Sequence, residues 1–145
     1  MKILLQRVKW AKLSIEGKLY SEIGPGLVAL VGIGKEDDEQ KARHLAQKTA
    51  KLRIFSDAEG KFNYAALDLG KEILAVSQFT LYANCAKGLR PAFDEAASQA
   101  TAKELYLTYV DELVKTGLTI KSGVFQADML VEIANDGPVT IMLEK

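Results

Sequence analysis

The sequence has few of the residues that build disulfides or metal centres. Its 145 residues include one cysteine, Cys85, and one histidine, His44. A single cysteine excludes an intramolecular disulfide, and one Cys with one His is too small a set for a typical zinc site. We therefore expect no metal and no cofactor. The scarcity of cysteine fits a reducing compartment, and we expect a cytoplasmic protein.

The sequence also lacks an excess of one charge and a long apolar run. Lysine and arginine together number 19, as do aspartate and glutamate. There is thus no cationic surplus to drive tight, non-specific binding to nucleic acid through counterion release, and any such contact should be small and local. We expect no DNA partner. No apolar run has the length of a membrane span or the form of a signal peptide, so we expect no membrane association.

The composition is that of an ordinary folded protein. Apolar residues make up 48% of the chain, and a chain of this size can bury a core of its own. The sequence contains no internal repeat, low-complexity segment or linker. We therefore expect a single domain spanning residues 1–145.

Apolar periodicity predicts strands at both ends of the chain. Residues alternate over Ala11–Ile15, a turn follows at Glu16–Lys18, and Leu27–Ile33 is a short apolar run. A turn signal within Arg53–Asn63 separates two half-apolar segments. Four more strands are predicted, at Glu72–Phe79, Leu118–Phe125, Met129–Ala134 and Val139–Leu143.

Two main helices are predicted between these strands. Asp37 and Gln40 resemble a capping box, so the first helix should run over Asp37–Lys51. The second should run over Ser98–Thr116, with Gly117 as its left-handed cap. The order of elements predicts an α+β fold with a mostly antiparallel, barrel-like sheet.

The first segment with chemical potential is Ser77-Gln78-Phe79-Thr80. It stands at the end of a predicted central strand, where a scaffold often presents functional groups. Serine and threonine also end many buried strands without a function. The residues alone therefore leave a functional and a structural interpretation open.

The second such segment is Asn135-Asp136-Gly137-Pro138-Val139-Thr140. Asp-Gly between two predicted strands is a hairpin signal, which favours a structural interpretation. Gly-Pro within it is less usual, because proline removes a ladder donor and glycine permits close approach of a ligand to bare backbone. Both interpretations stay open.

The remaining reactive side chains favour structural roles. His44 falls at helical spacing with lysines, which predicts a solvated face. Cys85 has little cationic support for a thiolate, so we expect a small, semi-buried residue. The carboxylates of residues 36–39 predict a helix N-terminus. Lys87 and Arg90 predict either an exposed loop or a phosphate-contacting rim beside the Ser-Gln-Phe-Thr segment.

Taken together, these segments resemble the D-aminoacyl-tRNA deacylase family nearly from end to end. Each stretch is weak alone, but their order and spacing are specific. The stretches are Gln6-Arg7-Val8, Ile54-Phe55-Ser56-Asp57 through Gly60-Lys61, Ser77-Gln78-Phe79-Thr80-Leu81, Gly88-Leu89-Arg90-Pro91 with Phe93, Phe125 through Ala127-Asp128-Met129, and Asn135-Asp136-Gly137-Pro138-Val139-Thr140.

The resemblance implies a homodimer with two sites at its interface. Each site would combine Ser77, Gln78, Phe79 and Thr80 of one subunit with Gly137 and Pro138 of the other, joined by a cis bond whose carbonyls exclude an L-side chain. Arg7 would hold the Gly-Pro pair in orientation. Met129 would lie near the terminal adenine. A related group of tRNA deacylases with a trans Gly-Pro bond begins its strand motif with proline, so Ser77 favours the D-specific branch.

The implied activity is hydrolysis of the ester in D-aminoacyl-tRNA, and also of glycyl-tRNA, including glycine mischarged on tRNA(Ala). The partner would be the acceptor end of an aminoacyl-tRNA. Thr80 has no histidine partner in its motif and is not N-terminal, which argues against its activation as a nucleophile. Two other hypotheses are a non-catalytic nucleic-acid-binding protein of the same fold and a dimeric esterase for small D-acyl esters.

Overall fold

A long first strand organises the sheet of the computed structural model, which describes residues 1–145. Strand β1 (Lys2–Ile15) pairs along one edge with β8 (Leu130–Glu144). Its other edge pairs with β3 (Gly26–Gly32) and then with β2 (Lys18–Ile23). Because β1 has partners on both edges, it is the centre of the sheet.

The sheet continues from β3 through two parallel neighbours. Strand β6 (Glu72–Ser77) pairs with β3, and the short β7 (Ile120–Ser122) pairs with β6. Strands β4 (Arg53–Ser56) and β5 (Phe62–Ala65) form a separate antiparallel hairpin. The mixed sheet forms a nearly closed barrel, and the predicted α+β class with two main helices is confirmed.

Two apolar clusters lie on the two faces of the sheet. The larger joins Ile3 and Leu5 of β1 to the helices, and the smaller gathers Val8, Ala11 and Leu13 within the curled sheet. Side chains alternate between faces along a strand, so Leu5 and Val8 point to opposite sides. The register of β1 with β8 shifts between Val8 and Ala11, which brings Ala11 onto the face of Val8.

The helices pack against each other over the larger cluster. Helix α1 (Glu39–Lys51) contacts α2 (Gln99–Val114), and a buried hydrogen bond of 2.9 Å joins the Thr49 and Tyr109 hydroxyls. Gly117 has the left-handed conformation predicted for it, with φ +82° and an N–H that donates to Val114 O. The helix itself ends two residues earlier than predicted, with Lys115 as its C-cap. Neither helix combines the length and apolar character that crossing a membrane requires.

The predicted capping box of α1 is wrong by one residue. Asp38 is the N-cap, and its side chain accepts from the Lys41 N–H at 2.8 Å. Asp37 is not available, because its carboxylate accepts from the Gly34 N–H at 2.7 Å and from the Tyr82 hydroxyl at 3.2 Å. It also pairs with the Met1 amino group.

Asp37 therefore joins three parts of the chain in a site that is almost closed to solvent. Its side chain is 3% exposed. Burial alone would raise the pKa of Asp37, but hydrogen bonds from the Met1 amino group and Gly34, together with the positive charge of that amino group, hold the pKa below its usual value. Since Tyr82 is one of its donors, Asp37 also supports the segment that follows β6.

We predict that Asp37→Asn lowers the free energy of unfolding at pH 7 by roughly 3 kcal/mol, because it leaves a buried ammonium unpaired. A carboxyl with a lowered folded-state pKa contributes stability above its unfolded pKa of about 3.9, and this is lost as pH falls through the folded pKa. The difference between wild type and variant should therefore shrink below about pH 4. Urea unfolding across this range measures it.

Asp111→Asn is the matched control, because Asp111 lies exposed on α2 and its side chain makes no hydrogen bond or ion pair. We expect it to change stability little at any pH. A deficit in Asp37→Asn that equals the control, or that stays constant down to about pH 2.5, would contradict the assignment.

Candidate functional site

A cavity of about 580 Å³ lies at the carboxyl ends of the parallel strands β3 and β6. Open sheets commonly bind ligands outside the carboxyl ends of such strands. Most of its lining is apolar, with a few polar side chains. The lining residues are Val31, Ile33, Val76, Ser77, Gln78, Phe79, Ala97, Gln99, Ala102, Phe125, Gln126, Ala127, Asp128, Met129 and Val131.

The Ser-Gln-Phe-Thr segment forms one wall, but it is not all strand. Strand β6 ends at Ser77, and Phe79–Tyr82 is a single 3₁₀ turn. The predicted strand Glu72–Phe79 is therefore two residues too long. The last ladder bond runs from Gln78 N–H to Val31 O at 2.8 Å, after which the chain bends. The bend begins the 3₁₀ turn, whose first N–H groups have no acceptor within the turn.

The side chains of this turn are fixed by local contacts. Gln78 Nε2 donates to Thr80 Oγ1 at 2.6 Å, and the Phe79 ring packs on the Phe93 ring with centroids 4.9 Å apart. Thr80 is exposed and does not line the cavity. Of the four predicted residues, Ser77, Gln78 and Phe79 lie at the cavity, and Thr80 lies beside it.

Two glycines that the sequence motifs did not reveal permit this turn to sit against β3. A Cβ on Gly32 would lie 2.9 Å from Leu81 Cβ, and one on Gly34 would lie 2.6 Å from the Tyr82 ring. These distances are shorter than a real Cβ tolerates, so only glycine allows such close approach. The sequence pattern that indicates this close approach is Gly-x-Gly at the end of the apolar run of β3.

The opposite wall comes from the segment after β7. The predicted strand Leu118–Phe125 is shorter in the structure, because the chain leaves the sheet after Ser122 and turns through Gln126, which has φ +67°. A Cβ on Gly123 would lie 2.6 Å from Met129 Sδ, so the absence of a side chain at position 123 leaves room for the Met129 side chain. Met129 lines the cavity, and its role toward adenine stays a prediction.

The second predicted segment is not a hairpin. Strand β8 is continuous from Leu130 to Glu144, and both of its halves pair with β1. Val8 pairs with Asn135 and Gln6 with Thr140, so four residues of β8 lie opposite Arg7 alone. Of these four, Gly137 and Pro138 are exposed, whereas Val139 is buried in the larger cluster. The predicted strands Met129–Ala134 and Val139–Leu143 are thus parts of one bulged strand.

Arg7 holds this bulge from inside. Its guanidinium donates to Asp136 O at 3.3 Å and to Ile54 O at 2.7 Å. A Cβ on Gly137 would lie 2.9 Å from Arg7 Nη2, and Gly137 has φ +119°. Both the space and the backbone conformation therefore require glycine. The Gly137–Pro138 peptide bond is cis.

Asn135 closes the base of the bulge, a role that the sequence did not reveal. Its Nδ2 donates to Arg7 O at 2.9 Å and to Val139 O at 3.0 Å. Its Oδ1 accepts from the Thr140 hydroxyl. These bonds replace the ladder bonds that the bulge interrupts, which explains how a long excursion fits within a continuous strand.

The bulge and the cavity are separate places on one chain. Gly137 and Pro138 are exposed and do not line the cavity. In the sheet register Ser77 lies across β3 from Ile3, four residues along β1 from Arg7. At the rise of a strand this is about 13 Å along β1 alone. Arg7, Gly137 and Pro138 are thus brought together with each other but not with the Ser-Gln-Phe-Thr segment.

The other reactive side chains lie outside the cavity. His44 is exposed, as predicted from its helical face. Cys85 is also exposed, which corrects the expected semi-buried position. It sits in the loop with Lys87 and Arg90, whose side chains reach solvent because the loop is tied down only by the bridge between Asn84 and Ala92.

No imidazole or thiol is thus placed to act as a base in the cavity. Burial raises the pKa of Tyr106 to about 12, so this phenol, which donates to Ala75 O, stays neutral. Five of the residues that line the otherwise apolar chamber have polar side chains: Ser77, Gln78, Gln99, Gln126 and Asp128. The site therefore offers these side chains and, beside them, the N–H groups that begin the 3₁₀ turn. This set can bind and polarise a carbonyl group.

The family model described as D-Tyr-tRNA(Tyr) deacylase matches residues 4–144. The chain belongs to this family. A D-aminoacyl-tRNA deacylase of Rhodopirellula baltica is 57% identical over 144 residues, and one of Carboxydothermus hydrogenoformans is 52% identical. Each alignment covers 99% of both chains. The resemblance inferred from the motifs is confirmed.

Two solved structures share the fold. One, named c-Myc DNA Unwinding Element Binding Protein, superposes with a TM-score of 0.93 at 42% identity over 100% of this chain and 99% of that chain. A second, a probable eukaryotic D-amino acid tRNA deacylase, has a TM-score of 0.87 at 16% identity and covers 98% of this chain and 97% of that one. The second likeness shows the fold alone.

We predict that Gly32→Ala lowers kcat for hydrolysis of D-tyrosyl-tRNA, the reaction that names the family, at least tenfold. The added Cβ would push on Leu81 and on Gln78 O, 3.3 Å away, and displace the turn. A misplacement of about 1 Å can cost about 100-fold in rate. Single-turnover hydrolysis measures this, and urea unfolding verifies that the variant is folded.

Gly24→Ala is the matched control, because a Cβ there would meet only the flexible end of Glu72, at 3.4 Å. Its rate should stay within about twofold of wild type. Equal rates for wild type and folded Gly32→Ala would show that the turn does not depend on this close approach.

Proposed function

We propose that this protein hydrolyses the ester bond of D-aminoacyl-tRNA, releasing the free D-amino acid and tRNA. The observation that carries the proposal is the near-full-length match to a family named for this reaction, and three residues of the Ser-Gln-Phe-Thr motif line the cavity at the end of β6. The aminoacyl group would enter the cavity, and the terminal adenosine would lie toward Met129.

We further propose that the working site is shared between two copies of the chain. Gly137 and Pro138 are exposed on an outward bulge and lie apart from the cavity of their own chain. A second copy related by two-fold symmetry would place its bulge at this cavity, and this chain's bulge at the other. Exposed apolar side chains, among them Leu130 and Met142 of β8, are available for burial between copies.

The chemistry would depend on backbone groups and on the substrate. The N–H groups of Phe79 and Thr80 begin the 3₁₀ turn and donate to no protein acceptor. They would stabilise the oxyanion that forms when water attacks the ester carbonyl. The 2′-hydroxyl of the terminal ribose would position or activate that water, because no histidine is near.

Selection would work by exclusion. Backbone atoms of Gly137 and Pro138 would clash with a substituent on one face of the α-carbon and would attract nothing on the other face. A clash discriminates more strongly than the roughly 1–3 kcal/mol available from fitting a methylene into a pocket. The enzyme would therefore accept many D-amino acids, and glycine as well, including glycine mischarged on tRNA(Ala).

The alternative of a non-catalytic nucleic-acid-binding protein has one relevant observation, since one protein of similar structure is named for binding a DNA unwinding element. The charge balance of 19 and 19 argues against strong duplex binding. A small-ester hydrolase is the third possibility. Turnover of charged tRNA compared with turnover of free D-acyl esters separates all three.

We predict rapid single-turnover hydrolysis of D-tyrosyl-tRNA and glycyl-tRNA and no measurable hydrolysis of L-tyrosyl-tRNA by the same preparation. The reason is that only the L-side chain meets the backbone of Gly137 and Pro138. If none of the three is cleaved, the proposed function is wrong. If D-tyrosyl-tRNA is cleaved but glycyl-tRNA survives like the L-ester, the site must recognise a D-side chain directly.

We also predict that Thr80→Ala retains turnover within about tenfold of wild type and accumulates no acyl-enzyme, because Thr80 positions the turn through Gln78 rather than attacking the ester. Thr80→Ser is the control that keeps the hydroxyl. Trapping an acyl group on Thr80 would establish covalent catalysis.

We predict that a substrate with a 2′-deoxy terminal ribose is hardly cleaved, because it lacks the hydroxyl that would position or activate the attacking water. Unchanged cleavage of this deoxy substrate would remove the ribose from the mechanism.

A further inference from the structure

A shallow groove of about 320 Å³ lies where α1 ends and β4 begins. Its lining is almost wholly polar, and most of it is basic. His44, Lys48 and Lys51 share a face of α1 at helical spacing, and Arg53 follows directly after the helix. All four side chains are exposed. The lining is completed by Gln47 and Leu52.

The cations of this groove have no acidic partners. Lys48, Lys51 and Arg53 take part in none of the ion pairs of the chain. The neighbouring carboxylate of Glu112 is already paired with Arg43 and Lys115. In a chain whose charges sum to zero, three unpaired cations around one groove form a local positive surface.

The helix dipole alone does not account for this arrangement. Cations in the last turn of a helix offset its partial negative charge, which explains Lys48 and Lys51. Arg53 lies beyond the helix, on β4, where the dipole gives no reason for a cation. A groove lined by basic and amide groups has the chemistry that binds the phosphates of a nucleic acid.

The groove is close to the Gly-Pro bulge of its own chain. Arg53 precedes Ile54, whose carbonyl accepts from the Arg7 guanidinium at 2.7 Å. The same guanidinium donates to Asp136 O, next to Gly137. One side chain thus bridges the end of the groove and the bulge. If the bulge inserts into the cavity of a second copy, the groove would therefore lie near that copy's cavity.

We propose that this groove binds phosphates of the tRNA acceptor arm whose aminoacylated end occupies the cavity of the other subunit. The proposal rests on the shared site proposed above. One subunit would then supply the cavity and the 3₁₀ turn, and the other would supply both the Gly-Pro bulge and the phosphate contacts. Discrimination and tRNA binding would belong to the same chain.

The first test is the salt dependence of D-tyrosyl-tRNA hydrolysis by the variant Lys48→Gln, Lys51→Gln, Arg53→Gln. Each lost phosphate contact should make the slope of log(kcat/KM) against log[salt] shallower by about 0.7–0.9, hence by about 2 for three contacts. The matched control neutralises three exposed cations elsewhere, Lys18→Gln, Lys121→Gln, Lys145→Gln. A slope change equal to that of the control would overturn the proposal.

A short substrate separates this proposal from the proposed function. D-tyrosyl-adenosine carries no acceptor-arm phosphates, so the ratio of kcat/KM for D-tyrosyl-tRNA to that for D-tyrosyl-adenosine should fall at least tenfold in the groove variant at low salt. An unchanged ratio would overturn the groove assignment and leave the deacylase activity intact. If wild type cleaves neither substrate, the proposed function itself fails.

Mixed dimers test which subunit supplies the groove. Thr80→Pro removes an N–H of the turn, and Gly137→Val disables the bulge. The mixture's only complete site therefore has the turn of the Gly137→Val subunit and the bulge of the Thr80→Pro subunit. Neutralising the groove of the Thr80→Pro subunit should reproduce the shallower salt slope, and neutralising the other groove should not. The reverse result would overturn the cross-subunit assignment.

Discussion

The need to pair the backbone of β1 on both edges governs the whole structure. Strand β1 has fourteen residues, and every N–H and C=O buried in the sheet needs a partner. Strand β8 supplies partners along one edge and β3 and β2 along the other. Because β8 stays on β1 to the end, its three extra residues cannot leave as a hairpin. They are accommodated as a bulge at Arg7.

The same strand links the two halves of the candidate site. Because β1 pairs with β3 and β3 pairs with β6, β1 fixes the register of β6 and hence the place where the 3₁₀ turn begins. Through Arg7, it fixes the bulge and the end of the β4 hairpin. The cavity and the bulge are thus held at a constant separation by continuous hydrogen-bonded backbone, which suits a function in which one copy's bulge must meet another copy's cavity.

Much of the fold was predictable because its signals are local. Patterns within a few residues account for the β1–β2 turn, the N-cap of α2 at Ser98, the left-handed Gly117 and the apolar run of β3. The errors arise where a distant contact overrides such a pattern. The Asp37 carboxylate does not cap α1 because it accepts from Gly34 and Tyr82 instead. Asp136-Gly137 does not form a hairpin because Asn135 donates to Val139 O across the segment and to Arg7 O on β1. The sequence motifs identified one wall of the cavity. The distance between this wall and the bulge follows only from the register of the paired strands, which local patterns do not reveal.

The bulge also explains why a gate of this kind would be hard to alter by mutation. Position 137 admits no side chain, because a Cβ would meet Arg7 and Val139 at 2.9 Å, and Pro138 has no N–H to donate. The exposed tip therefore consists of backbone atoms and a proline ring, with no functional side chain whose replacement could tune it toward one amino acid. The cavity walls, by contrast, are side chains such as Val76 and Met129, which can vary. The rejection of L-amino acids would then depend on backbone atoms, and the preferred size of the D-side chain would depend on the side chains of the cavity. A change in the preferred D-side chain therefore need not relax the rejection of L-side chains.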